Sequence, residues 1–87
     1  MLRIQRSANR EVVFTLSGQM DDESITELET LINSEANGRG LVLDLKDLTL
    51  VNEDAIIFLE RCELNSITLE NCPAYVREWI NAQRRQS

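Results

Sequence analysis

Eighty-seven residues suffice for one small domain, and residues 1–87 are read as a single folding unit. The apolar share of 43% excludes an intrinsically disordered chain. Fifteen acids against nine bases leave a net charge of -6, which repels phosphate backbones and anionic lipid and argues against nucleic acid or a membrane as partner.

Residues 2–6 alternate apolar and polar side chains, as a half-buried edge strand does, and Asn9-Arg10 then turns the chain. Residues 11–17 (EVVFTLS) are rich in β-branched and aromatic side chains and read as a second strand of a hairpin, stopped by Gly18. Over residues 21–35 the period changes. Ile25, Leu28, Leu31 and Ile32 fall on one face of a helix, and acids occupy the other. Asp21, Asp22 and Ser24 are all candidate N-caps, and Ser24 with Glu27 has capping-box spacing. Asn37-Gly38-Arg39-Gly40 ends this helix.

Residues 41–45 (LVLDL) suit a central strand buried on both faces. Residues 46–51 lead into Asn52-Glu53-Asp54, a cap followed by two acids. Residues 55–62 (AIIFLERC) are apolar nearly all round, which predicts a deeply buried short helix. Ile67 and Leu69 mark a last short strand, and Asn71-Cys72-Pro73 opens a final helix with Pro73 in its first turn. Val76, Trp79 and Ile80 form its inward face, and residues 81–87 are expected to fray. The resulting β-β-α-β-α-β-α order, with about 20 residues between later strands, predicts an α/β fold. Its small mixed sheet has an N-terminal hairpin and parallel crossovers, and helices pack against it.

Charge is unevenly placed. Residues 21–35 carry Asp21, Asp22, Glu23, Glu27, Glu29 and Glu35 without a base, whereas Arg3, Arg6 and Arg10 precede them. Such a stripe is either a solvated helix face or a surface that steers a basic partner. Cys62 and Cys72 lack CxxC spacing, no histidine accompanies them, and free thiols in a reducing cytoplasm are expected. No signal peptide or membrane span is expected either, since no apolar run approaches the roughly 20 residues that a span needs.

Three segments carry a family resemblance. Val13-Phe14-Thr15-Leu16-Ser17-Gly18-Gln19-Met20-Asp21 resembles the opening of the STAS domain, the anti-sigma-factor-antagonist family, whose apolar strand closes on G-x-hydrophobic-D. Leu41-Val42-Leu43-Asp44-Leu45 resembles its "vvlDl" strand. Leu69-Glu70-Asn71-Cys72-Pro73-Ala74-Tyr75-Val76 resembles its late strand and helix start. The likeness spans residues 11–80. It implies a cytoplasmic, bacterial protein-interaction module in signal transduction and regulation of transcription. Its implied partner is an anti-sigma factor or kinase-like regulator.

The family often carries Asp-Ser-Ser/Thr-Gly at the start of the second helix, and its serine is phosphorylated. Here the matching positions are Asn52-Glu53-Asp54-Ala55, with Glu53 in place of the serine. The phospho-switch is therefore not carried over. Glu53 supplies a fixed charge of about -1, against roughly -1.5 to -2 for phosphoserine. The segment 52–66 is also about one turn shorter than the family's, so the resemblance implies a compact, degenerate member. Asn52, Glu53, Asp54, Asp21 and Asp22 are the candidate partner-binding residues; the alternative is that the acids only complement helix dipoles.

Catalysis is not expected. Nucleophilic triads need a base such as histidine, and Gly18, Gly38 and Gly40 form no phosphate-binding loop. No cofactor is expected, and Asp44, Asp47 and Asp54 lack calcium-loop spacing. A regulatory interaction module leads. An acidic stoichiometric inhibitor or immunity-type protein masking a basic site is the runner-up, with Glu27 and Glu29 as its distinguishing charges.

Overall fold

A computed structural model describes residues 2–8, 10–35 and 40–86. The chain runs β1 (Leu2–Ala8), β2 (Val12–Met20), α1 (Asp22–Ser34), β3 (Leu41–Val51), α2 (Glu53–Leu64), β4 (Thr68–Glu70) and α3 (Ala74–Gln86). This is the expected element order. β1 pairs antiparallel with β2, while β2–β3 and β3–β4 are parallel, giving a four-stranded mixed sheet in the order β1-β2-β3-β4. Strands β2, β3 and β4 advance in one direction across the sheet. Right-handed crossovers therefore place α1 and α2 on the same face.

That face holds the core. Val12, Phe14 and Leu16 alternate inward along β2 and meet Leu43 and Leu45 of β3. Leu28, Ile56, Leu59, Val76 and Ile80 cover them from the three helices. Each fully buried aliphatic or aromatic side chain contributes about 1.5–3 kcal/mol by removal from water. This layer is thus the main stabilising contact of a thin fold.

The strands run further than their composition suggests. Gly18 does not stop β2; it takes φ 96° within the strand, which continues to Met20. The register shifts between Thr15 and Ser17 and again between Gly18 and Gln19. These irregularities let β3 continue beyond residue 45 to Val51, with Leu48 opposite Gly18 and Val51 opposite Met20. Leu48 and Val51 are buried, which explains why a segment that the sequence assigns to no element becomes strand.

The helix ends select among the open alternatives at α1 and depart from expectation at α2 and α3. Asp21 is the cap of α1: its carboxylate accepts the Ser24 backbone N–H at 3.0 Å and the Ser24 hydroxyl at 2.9 Å. Ser24 is thus a buried partner of the cap, with no capping role of its own. Helix α2 is not buried all round, because Ile57 and Leu64 face outward at 39% and 69% exposure. Pro73 precedes α3, its carbonyl accepting from the Arg77 N–H at 3.0 Å. Residues 81–86, expected to fray, are helical, and α3 continues to Gln86. Its outer turns are tied to α2 by Glu63, which accepts a two-pronged bond from Arg77 and a third from Arg84, all at 2.9 Å. Asn9, residues 37–39 of the expected helix stop and Ser87 lie outside the described residues.

Candidate functional site

Parallel neighbours end side by side. Met20 and Val51 are register partners at the last rung of β2 and β3, and each is followed at once by a helix cap. Asp21 caps α1, while the Asn52 side chain accepts the Ala55 N–H of α2 at 2.8 Å. The first turns then carry Asp22 and Glu23 on α1 and Glu53 and Asp54 on α2. Asn52 Nδ2 donates to Asp22 Oδ1 at 3.2 Å and joins the two helix tips directly. All five residues singled out from the sequence therefore lie on one edge, outside the carboxyl ends of β2 and β3. Open α/β sheets commonly place binding sites there.

Asp22, Asn52, Glu53 and Asp54 are exposed, and Asp21 is half-buried. The Ser24 N–H and hydroxyl stabilise the Asp21 carboxylate and hold its pKa below the usual value. Asp54 moves the other way: a hydrogen bond to Asp22, together with the charges of Asp22 and Glu53, favours its protonated form. Two helix dipoles point their positive ends at these acids. Residues 21–24 and 52–55 contain no base, so the edge presents a concentrated negative charge.

The Asp22–Asp54 approach was not anticipated from the sequence, where only adjacent pairs stand out. Its signal was available in topology. Parallel strands that are neighbours and both run into helices with acidic first turns bring those acids together. By contrast, the Asp44, Asp47 and Asp54 trio does not assemble. Asp44 accepts from the Lys46 N–H at 3.0 Å and from Asn71 Nδ2 at 3.2 Å, while Asp47 pairs along the strand with Ser17. No group of three or more His, Cys, Asp or Glu able to hold a metal ion occurs among the described residues. Cys62 and Cys72 are free thiols, and burial pushes the Cys62 pKa up to about 12. Among the described residues, no helix is long and apolar enough to cross a membrane.

No family model and no curated protein matches this sequence. Among solved structures, the chain is similar to an uncharacterised protein of the DUF3478 family with a SpoIIAA-like fold from Shewanella loihica PV-4. The two share 15% identity at a TM-score of 0.55, over 74% of this chain and 57% of the other. The chain thus spans a little over half the length of that protein. Together with the element order and the mixed sheet, the likeness establishes a SpoIIAA-like, STAS-like fold.

Proposed function

We propose that the chain is a non-catalytic regulatory module of the anti-sigma-factor-antagonist kind. It docks a partner protein through the acidic edge made by Asp21, Asp22, Asn52, Glu53 and Asp54. The observation that carries this reading is the Asn52–Asp22 bond, which joins two helix tips with acidic first turns into one exposed surface. Glu53 stands in the first turn of α2 with no hydroxyl to phosphorylate, so its charge is permanent and the docking edge does not switch. A cytoplasmic anti-sigma factor or kinase-like regulator with a basic docking face suits such an edge.

The test begins with recovery of the partner from the native host and its identification. Calorimetry then compares the wild type with an Asp22→Asn, Glu53→Gln, Asp54→Asn variant. A loss of affinity of at least about tenfold, or 1.4 kcal/mol, is expected. Equal affinity sinks the docking edge.

A second reading, an acidic inhibitor covering a basic active site, draws on the exposed Glu23, Glu27 and Glu29 along α1. It predicts that neutralising Glu27 and Glu29 abolishes binding while the three substitutions at the tips do little.

A further inference from the structure

Helices α1 and α2 start together at the acidic edge, and further along a groove opens between them. Its lining is half apolar, with Ile32 from α1, Phe58 and Cys62 from α2 and Ile67 beyond it, and half polar, Asn33 of α1 and Arg61 of α2 among them. The volume is about 180 Å³. Pockets for drug-sized molecules run to roughly 300–1,000 Å³, so this space suits one inserted side chain better than a whole ligand. Beside it, Ile57 and Leu64 stand two helical turns apart on the outward crest of α2. Side chains facing the core already account for Ala55, Ile56, Phe58, Leu59 and Cys62, so packing gives no reason for Ile57 and Leu64 to be apolar. The groove and crest lead at one end into the carboxylates of Asp22, Glu53 and Asp54.

We infer that this surface seats an amphipathic helix of the partner protein. One apolar side chain enters the α1–α2 groove, others rest on Ile57 and Leu64, and lysines or arginines at one end meet the acidic tips. The inference rests on the docking edge proposed above and adds an apolar anchor to it. Charge selects the occupant: a second copy of this chain carries net charge -6 and would bring another acidic edge, whereas a basic helix complements it. Recognition of this type places anchors at helical spacing in an apolar groove, while flanking charge sets orientation.

A defined probe tests the inference: a helical peptide of about 18 residues with leucines on one face and lysines on the other. A second peptide with the same leucines but glutamates in place of lysines serves as its counterpart. Amide shifts of the full chain are followed during titration, and affinity is read from anisotropy of the labelled peptide. The lysine peptide is expected to shift residues 29–33 and 57–65 as well as the two tips, and the glutamate peptide to bind at least about tenfold more weakly. Asn33→Trp fills the groove mouth, and a paired Ile57→Ser, Leu64→Ser variant strips the crest; each is expected to weaken binding by about tenfold or more. Unchanged circular dichroism and melting temperature check their folding.

If the groove and crest variants bind like wild type while the Asp22→Asn, Glu53→Gln, Asp54→Asn variant does not, the groove inference falls and the docking edge stands. Absence of shifts in both regions at millimolar peptide overturns both. Concentration-dependent dimerisation that disappears in the crest variant would make a second copy the occupant and overturn the inference as well.

Discussion

Glu63 is the side chain that holds α3 against α2. Arg77 offers two parallel N–H groups to its two oxygens, and Arg84 adds a third contact. Hydrogen bonding from Arg77 is the main reason that its carboxylate lies below the usual pKa, with Arg84 reinforcing it against partial burial. Paired carboxylates of this sort stabilise the fold above the unfolded pKa of roughly 4.3, and the contribution disappears as pH falls through the folded value. Solvent reaches about a quarter of the Glu63 side chain, so only a modest energy is expected. Urea unfolding should show Glu63→Gln less stable by about 0.5–1 kcal/mol at neutral pH. Wild type and variant should converge once the pH has fallen below the lowered folded pKa of Glu63. A gap that persists at low pH would show that packing, not the ion pair, joins the helices. Asp54 has the opposite sign. Its pKa is raised by Asp22, so its charge works against folding at neutral pH and the penalty lifts as the pH drops through its folded pKa. Asp54→Asn should therefore raise the melting temperature at low ionic strength, and salt should erase the difference. A lower melting temperature at low salt would mean that the helix dipole outweighs the repulsion.

At the scale of elements, the helices were more legible than the strands. Ile25, Leu28, Leu31 and Ile32 announce α1 by spacing alone, and Asn52 before two acids announces α2 because a cap is a local chemical event. Strand length is a property of pairs. Gly18 carries the usual signature of a strand end, yet here its φ of 96° absorbs an irregular register and the strand goes on. That continuation recruits residues 46–51, whose charged start gives no hint of burial at Leu48 and Val51. The candidate edge divides similarly. Its residues were identifiable one by one, whereas the Asn52–Asp22 bond and the Asp22–Asp54 contact depend on how two crossovers lie side by side. Ile57 falls in the run 55–62 that reads as a buried helix, because periodicity cannot separate burial from an exposed stripe, and Leu64 carries no signal of either kind. Gly18→Ala tests the role of the irregularity. Any side chain is strained at this φ, so a loss of about 1–2 kcal/mol is expected, and hydrogen exchange should quicken at residues 47–51 before it does at residues 41–45. Exchange that quickens evenly along β3 would show that the two register segments open as one.

Across the whole molecule, the three helices and one face of the sheet share a continuous set of buried side chains, and Cys62 lies inside it at 4% exposure. Its thiol is doubly protected, since little of it is exposed in the lining of the α1–α2 groove and burial has moved its pKa to about 12. Cys72 is half-buried at the entry to α3, and burial also raises its pKa. An exchange reagent attacks thiolate, so at mildly alkaline pH a thiol with a pKa near 12 is almost silent compared with a free cysteine near 8.5. Reaction at Cys62 therefore requires the helical layer to open. For a chain of this length a stability of roughly 4–13 kcal/mol is expected, and labelling through global opening is slowed by the corresponding equilibrium constant. In a Cys72→Ser background, Cys62 labelling should be slow in native buffer and accelerate with urea in proportion to the unfolded fraction. Should Cys62 instead react fast and independently of urea, α2 must lift from the sheet on its own, and the helix that presents the acidic edge would be a mobile element rather than a fixed part of the core.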